Sequence, residues 1–270
     1  MAIFLHLKRE PTVPLEAEVL SPDVVADLTN AEIRALTVFH GKRQLPLAEF
    51  FEVYGEKSTD LELHGALHKV RWVGRRMSRG SIKINGSIGM HLGAYMRGGR
   101  IDVHGNAGDW IGAEMKDGMI HVRGHAGGQI GAAYRGSLRG MRGGTIIVDG
   151  SAGLEVGMRM RRGVIVIGGP AKDFTGLQMK GGTIILKSGA EIRTGAWMNR
   201  GTIISLKPLH LMPTFAHSAD TSPTFVSLIA NYLKPFGIVL PSAGTGIYRQ
   251  FAGDLSVSDK GEILIWQSAS

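Results

Sequence analysis

The chain has 270 residues, of which 43% are hydrophobic, enough for one long domain or two small ones. It contains no cysteine, which excludes disulfides, iron–sulfur clusters and a thiol nucleophile on this chain. No run approaches the roughly 18 apolar residues of a membrane span, and the first residues lack the order of a signal peptide, so we expect a cytoplasmic protein. The net charge of +8 favours an acidic partner: nucleic acid, an acidic cofactor tail or an acidic protein.

Residues 1–58 predict a small α+β cap at the start of the chain. Alternating apolar residues indicate two strands, and helix-start signals indicate short helical segments. The predicted strands cover residues 3–7 and 15–20, and the helical segments cover residues 21–28, 29–36 and 46–53. A cap is expected because the repeats that follow would otherwise begin with a bare sheet edge.

One motif is repeated seven times between residues 77 and 207. Each copy begins with methionine, with glycine three residues later and isoleucine five residues later, as in Met96, Gly99 and Ile101. The methionines lie 19 residues apart except for one interval of 26: Met77, Met96, Met115, Met141, Met160, Met179 and Met198. Self-similarity at a fixed period is the signature of a stacked array.

Each unit is too short for a pair of helices or a propeller blade, which need roughly 34 and 40–45 residues. It carries an alternating run, such as Ile101-Asp102-Val103, followed by glycines that suit corners. We therefore predict a mainly β protein built on a right-handed, single-stranded parallel β-helix of seven or eight coils over residues 59–207. The eighth coil is a degenerate copy in which Leu61 aligns with Ile82. The methionine column is predicted to fill the interior, which explains it without a copper site.

The interval of 26 residues places seven extra residues around positions 133–140. Insertions in a repeat array go to loops, often on the binding face. Tyr134, Arg135 and Arg139 therefore suit a polar contact with a partner, and a loop without function is the alternative. After residue 207 the pattern stops, and residues 208–270 predict an extension packed on the β-helix, with a helix over 224–233 and a final strand over 263–266.

The sixth residue after each methionine is predicted to point outward. It is polar in three copies and apolar in the next four: Lys83, Asp102, His121, Ile147, Val166, Ile185 and Ile204. An apolar stripe of this length is seldom left in water. We expect the C-terminal helix or a partner protein to cover Ile147, Val166 and Ile185.

The residue directly after the methionine is basic in five successive copies, and we call these five residues the basic row: Arg97, Lys116, Arg142, Arg161 and Lys180. Stacked at strand spacing, each adjacent pair repels by about 1 kcal/mol in bulk water. The row is either a solvated edge with splayed side chains or a track for a polyanion or an acidic partner. Nucleic acid is the less favoured ligand because no aromatic residues are interleaved for base stacking.

The sequence offers no catalytic constellation and no metal site. His64 and His68 have a metal-ligand interval, but Gly65 and the expected strand-to-corner setting do not suit a helical pair. The tryptophans of the repeat region are interpreted as lying at unlike positions, which argues against a platform for sugars: Trp72, Trp110 and Trp197. From its residues alone the chain is predicted to be a scaffold.

The repeats beginning Met96-Arg97-Gly98-Gly99 and Met141-Arg142-Gly143-Gly144 resemble the Gly-rich β-helix shared by two families. One is the C-terminal domain of glutamate synthase, and the other is the C subunit of formylmethanofuran dehydrogenase. The flanking segments 46–56, 248–255 and 260–264 resemble the second family.

This resemblance implies a scaffold without catalytic residues, whose partners are a zinc-dependent, amidohydrolase-like A subunit, a B subunit and a formyltransferase-like D subunit. In aerobic methylotrophs the complex moves a formyl group from tetrahydromethanopterin to a methanofuran-type cofactor and releases formate. In anaerobic archaea it is a molybdenum or tungsten dehydrogenase. The lengthened tail and the absence of cysteine favour the methylotroph complex. No cofactor is expected on this chain alone, although the basic row matches the glutamate-rich tail of the furan cofactor.

Overall fold

The computed structural model of the protein describes residues 2–241 and 245–268. Thirteen of its strands form one long sheet, and four short strands from the first 71 residues form a second. The protein is therefore mainly β, as the repeats predict. Within the two described ranges, no helix has the length and apolar character needed to cross a membrane.

The N-terminal segment combines five strands with short helices. Its elements are β1 (Ile3–Leu7), β2 (Leu15–Glu16), α1 (Pro22–Val25), α2 (Asn30–Ala35), β3 (Thr37–His40), β4 (Arg43–Pro46), a 3-10 turn (Leu47–Glu49) and β5 (Phe51–Tyr54). A capping box starts α2, because the Glu32 carboxylate accepts a hydrogen bond from the Thr29 main-chain N–H at 2.8 Å. The helical prediction for residues 46–53 is wrong in its second half. There Phe51 and Val53 are buried and Glu52 is exposed, which is the period of a strand.

The repeats supply the central strands of the long sheet. Their elements are β6 (Asp60–His64), a 3-10 turn (Leu67–Lys69), β7 (Val70–Arg71), β8 (Ser81–Asn85), β9 (Arg97–Val103), β10 (Asp117–Val122), β11 (Arg142–Val148), β12 (Arg162–Ile167), β13 (Lys180–Leu186) and β14 (Arg200–Ser205). From β8 to β14 each strand pairs in parallel with the next copy, so Ile101 lies opposite Ile120 and Ile165 opposite Ile184. The degenerate copy also pairs as predicted, with Leu61 opposite Ile82.

Each methionine of the column fills space left by a glycine of the next copy. All seven methionines are fully buried. A Cβ atom at Gly99 would lie 2.6 Å from the ε-methyl of Met77, and one at Gly118 would lie 2.8 Å from that of Met96. Both glycines also have positive φ, of 79° and 97°. The two columns therefore belong together, because close packing along the array requires both.

Hydrogen bonds between successive copies continue outside the strands. Ala107 bridges Ala126 in parallel, and Gly112 N donates to the carbonyl of Leu92 at 2.8 Å. A flat sheet has one such ladder, whereas this chain bonds to its neighbouring copies at the strand, at the alanine position and at the glycine corner. This arrangement is that of a parallel β-helix.

The C-terminal segment extends the long sheet. Its elements are β15 (Ala216–Thr221), α3 (Thr224–Leu233), a 3-10 turn (Lys234–Phe236), β16 (Gly246–Gly253) and β17 (Gly261–Ser268). The predicted helix and the predicted final strand are confirmed as α3 and β17. β17 pairs in parallel with β14, with Ile263 opposite Ile203, and β15 and β16 add antiparallel strands beyond it. At the other end of the sheet, β1 pairs in parallel with β6 and antiparallel with β5.

The outward apolar stripe is covered by the chain's own C-terminal segment. Ile147, Val166 and Ile185 are at most 1% exposed and form a second core with Val226 and Leu233 of α3. Of the two predicted covers, the structure therefore has the C-terminal helix. The expectation that these three residues contact a partner is corrected, because their side chains are already buried within this chain.

Candidate functional site

The basic row is a single column in the folded chain. The main-chain N–H of each member donates to the carbonyl of the methionine in the preceding copy, at 2.7 Å from Lys116 to Met96 and 2.8 Å from Arg161 to Met141. Each basic side chain thus starts one coil above the last. The alignment of the row is set by the same backbone ladder that holds the array together.

Part of the row lines a cavity of about 510 Å³ with three further arginines. We call it the basic cavity, and its lining residues are Arg139, Arg142, Arg161, Arg162, Lys180, Gly181 and Arg200. The structure thus brings Arg142, Arg161 and Lys180 together there, while Arg97 and Lys116 continue the row outside it. Arg162 and Arg200 are one residue further along their copies, and pair with Arg142 and Lys180 in the strand register.

The charges of the basic cavity are uncompensated in the described part of the chain. Its six cations form no ion pair there, whereas other cations such as Arg123, Arg193 and Arg249 do. The Nε atoms of Arg142 and Arg161 are buried and have no hydrogen-bond partner. Like charges this close are destabilising unless they are solvated or meet an anion. The cavity therefore has the chemistry of an anion-binding site.

The basic row also lowers the pKa of Lys116. The largest cause is the charge of Arg97, followed by the charge of Arg142 in the next copy, with desolvation adding to the effect. Repulsion along the column favours the neutral amine. An anion bound beside Lys116 would reverse this effect, because it favours the ammonium form.

A ladder of aromatic rings stands beside the inserted segment 133–140. Trp72 stacks on His91 with ring centroids 4.1 Å apart, and Tyr134 of the insertion stacks on Trp110 at 4.8 Å. Trp72, His91 and Trp110 occupy equivalent positions of successive copies, all with φ near +65°. The interpretation that the tryptophans lie at unlike positions is therefore wrong for Trp72 and Trp110. The degenerate copy obscured their equivalence.

A hydrogen bond ties the insertion to this ladder. The Oη of Tyr134 lies 2.9 Å from Nδ1 of His91. Burial, assisted by the charge of Arg71 and opposed by Asp109, lowers the pKa of His91 to about 4. Burial likewise raises the pKa of Tyr134 above the usual tyrosine value, and the neighbouring Tyr95 adds to this rise. At neutral pH both groups are uncharged, and the tautomer of His91 decides which of the two donates the hydrogen bond.

Residues of the inserted segment line three different cavities. Arg135 lies in a cavity of about 300 Å³ with Trp110, Tyr134 and Glu155. Leu138 lines a groove of about 540 Å³, whose lining also includes Lys180, Trp197 and Val257. Arg139 lies in the basic cavity. The predicted contact residues of the loop are thus divided between different surfaces.

The two histidines with a metal-ligand interval have separate partners. The Nε2 atom of His64 lies 3.1 Å from Oε1 of Glu62, and the Nε2 atom of His68 lies 3.1 Å from Oε1 of Glu10. In residues 2–241 and 245–268, no group of three or more histidine, aspartate or glutamate side chains can hold a metal ion.

The repeats match a known sequence family. The model of the GXGXG motif family covers residues 67–215, more than half of the chain. The C subunit of the molybdenum-containing formylmethanofuran dehydrogenase 1 of Methanothermobacter thermautotrophicus is 42% identical over 95 residues, 34% of this chain and 24% of that protein. The C subunit of the tungsten-containing formylmethanofuran dehydrogenase 2 of the same organism is 40% identical over 97 residues, 34% of this chain and 36% of the relative. The match therefore spans only about a quarter to a third of these curated relatives.

A solved structure matches the chain over almost its whole length. It is a chain of the formyltransferase/hydrolase complex from Methylorubrum extorquens, crystallised in complex with methylofuran. The match has a TM-score of 0.87 and 32% sequence identity, and it covers 99% of this chain and 100% of the other. Shared repeats, shared fold and whole-chain similarity together place the protein in the family of formylmethanofuran dehydrogenase C subunits.

Proposed function

We propose that the protein is the scaffold subunit of a cytoplasmic formyltransferase/hydrolase complex. The support is the match to a chain of the Methylorubrum extorquens complex, which extends over the cap, the repeats and the C-terminal segment alike. The proposed architecture has a cap over residues 1–58, seven or eight right-handed coils of 19 residues over 59–207, and an extension over 208–270. The proposed partners are the A, B and D subunits.

In the proposed reaction, the complex transfers a formyl group from tetrahydromethanopterin to a methanofuran-type cofactor and hydrolyses the product to formate. The formyltransferase-like D subunit would perform the transfer, and the zinc-dependent A subunit the hydrolysis. The role of this chain is to hold the partners in place, together with the acidic part of the cofactor. The rigid array suits this role because each coil is bonded to its neighbours on three sides.

The basic row is the proposed contact for the glutamate-rich tail of the cofactor. The observation that carries this proposal is a cavity lined by six cations that have no anionic partner among the described residues. Carboxylates accept charge-assisted hydrogen bonds from guanidinium groups, and Arg142 and Arg161 both line the cavity. A tail of several carboxylates fits better than nucleic acid, because the row carries no aromatic side chains on which bases stack.

The test is purification of the protein with its native partners, followed by mass spectrometry and an assay of formate release. The double substitution Arg142→Gln and Arg161→Gln should leave the complex assembled, but should lower formate release about tenfold or more and reduce the cofactor retained. The matched control is Lys42→Gln with Arg43→Gln, which removes two exposed positive charges far along the chain from the row. Unchanged cofactor retention and activity in the first variant would contradict the proposed tail contact.

The alternative is the C subunit of a molybdenum- or tungsten-containing dehydrogenase. Identity of 42% to the archaeal protein over the matched 95 residues favours it. Molybdenum or tungsten in the purified complex would support this alternative, and formate release without either metal would support the hydrolase. A glutamate-synthase-like β-helix protein is the third candidate, and it requires glutamate synthase chains among the purified partners.

A further inference from the structure

The inserted segment 133–140 leaves and rejoins the array without disturbing it. Ala133 N donates to the carbonyl of Met158 at 3.0 Å, and Met141 N donates to that of Gly131 at 2.7 Å. Beyond the insertion the strands return to register, with Ile120 opposite Ile146. The insertion is therefore an added loop whose position is not dictated by the pairing of the coils.

The first anchor of this loop is Tyr134. Its ring stacks on Trp110, its hydroxyl is bonded to His91, and its main-chain N–H donates to the Glu114 carboxylate at 3.3 Å. A stacked aromatic pair stabilises a structure beyond the apolar area that it buries. The ladder of aromatic rings thus fixes the position of Tyr134 in the insertion.

The second anchor is Arg159 of the following copy. Its Nη1 donates to the carbonyl of Ser137 at 2.6 Å, and its Nε donates to the Gln178 side chain at 2.7 Å. Ser137 N in turn donates to the carbonyl of Tyr134 at 2.9 Å. The turn from residue 134 to residue 137 is therefore held at both ends.

The two anchors determine where the next arginine goes. Arg139 lies two residues after Ser137, which the second anchor holds, and it lines the basic cavity, where the other charged side chains are all cations. A sixth positive charge in this place is unfavourable in the free chain. A loop without function needs neither two anchors nor an arginine in the basic cavity, whereas a loop that binds a polyanion needs both.

We propose that the insertion is a clamp on the basic cavity, in which Arg139 binds a carboxylate of an oligoanionic ligand and Tyr134 is the residue that positions it. The proposal rests on the proposed function of the basic row and adds a binding residue that lies outside the repeat. Preorganisation is the physical advantage, since a fixed loop loses less conformational entropy on binding than a free one.

The test measures binding of a fluorescent γ-linked hexaglutamate to the full chain by anisotropy at low salt, with hexaglutamine as the neutral probe. Arg139→Gln and Tyr134→Ala should each weaken hexaglutamate binding by about fivefold to tenfold. In the double variant the two effects should not multiply, because Tyr134 acts through Arg139. Tyr134→Phe keeps the ring and should stay within about threefold of the wild type.

The matched control is Arg135→Gln, which removes the same charge from the same loop but from a different cavity. It should bind hexaglutamate as the wild type does. Equal weakening by Arg135→Gln, full affinity in Arg139→Gln, or multiplying effects of the Tyr134→Ala and Arg139→Gln changes would overturn the clamp. Amide hydrogen exchange over residues 136–140 should accelerate in Tyr134→Ala, while the coils stay protected. If Tyr134→Ala instead loses protection throughout the chain, the variant is unfolded, and Arg139→Gln and Tyr134→Phe decide the test.

The same assay separates the clamp from the function on which it rests. Loss of binding in Arg142→Gln together with full binding in Arg139→Gln defeats the clamp alone. A wild-type chain that does not distinguish hexaglutamate from hexaglutamine defeats the proposed tail contact and the clamp with it.

Discussion

At the end of the array the carboxylate of Asp254 replaces a main-chain carbonyl. In the interior copies the residue before the methionine donates its N–H to the next coil, as Gln178 does to the carbonyl of Ala196 at 2.8 Å. Trp197 has no further repeat above it, and its N–H donates to Oδ2 of Asp254 at 2.9 Å. Asp254 is only 2% exposed, and it also accepts hydrogen bonds from Ser256. One side chain therefore satisfies the last donor of this column.

Stability in acid should depend on Asp254. Burial raises its pKa, but the hydrogen bonds from Ser256 and Trp197 together outweigh burial and hold the pKa below the usual 3.8. The folded chain thus binds fewer protons here than the unfolded chain, so the stabilisation is complete above about pH 4 and is lost as the pH falls through the folded pKa. Urea unfolding of the wild type and Asp254→Asn between pH 2.5 and 7 should show a difference in stability that shrinks in acid. A constant difference would contradict this role.

The glycine that accommodates the methionine can be tested against one that does not. A Cβ at Gly144 would lie 2.6 Å from the Gly118 carbonyl oxygen and 2.8 Å from the Met115 ε-methyl, at a φ of 82°. Gly136 has a similar φ of 84°, but nothing lies within 4 Å of its Cβ position. Gly136→Ala should therefore cost only the conformational strain, about 1 kcal/mol, whereas Gly144→Ala should cost about 3 kcal/mol. Equal shifts of the urea midpoint would contradict the packing explanation.

At the scale of elements, α3 shows how a segment outside the repeat completes it. The helix places Val226 and Leu233 over the apolar stripe, and Tyr232 Oη lies 2.8 Å from Oγ1 of Thr145 on β11. Its other face remains in solvent, with Leu228 68% exposed. The helix thus covers the apolar stripe, and the stability of the coils that carry the stripe should depend on the buried face of the helix.

Two leucines of the same helix make a matched pair of tests. Leu233→Ala removes a fully buried side chain and should lower the free energy of unfolding by about 2–4 kcal/mol. Leu228→Ala should change it by less than about 0.5 kcal/mol, because this side chain is exposed. Chemical denaturation followed by tryptophan fluorescence measures both. A large effect of Leu228→Ala would mean that another molecule, or a rearranged helix, covers the outer face.

At the scale of the whole molecule, the net charge of +8 matters less than its placement. Charges further apart than about 8 Å are largely screened at physiological salt. Three residues of the basic row and three further arginines concentrate six cations around one cavity. Local attraction, rather than overall charge, should therefore determine which anions bind.

Salt titration checks this expectation. Binding of hexaglutamate should weaken about tenfold between about 0.05 and 0.5 M salt, and Arg161→Gln should make this dependence shallower. Arg43→Gln, which removes an equal charge at an exposed position of β4, should leave the dependence unchanged. Duplex DNA of similar charge should bind less tightly than hexaglutamate. Tighter binding of DNA would favour a nucleic-acid rod instead.

Repetition made the core predictable from the amino-acid order. A strand that recurs in every copy meets its own equivalent, so the parallel registers, the buried methionine column and the alignment of Arg142, Arg161 and Lys180 all follow from spacing. Position within a copy is enough in these cases, because stacking converts sequence period into spatial neighbourhood.

Contacts made by segments that do not repeat required the folded chain. The cover over Ile147 and Val166 comes from a helix more than 50 residues later, and Arg139 reaches the basic cavity only through the path of its anchored loop. Such contacts have no period in the sequence. Their positions depend on the summed packing and hydrogen bonding of the whole tertiary structure, and local spacing carries no record of that sum.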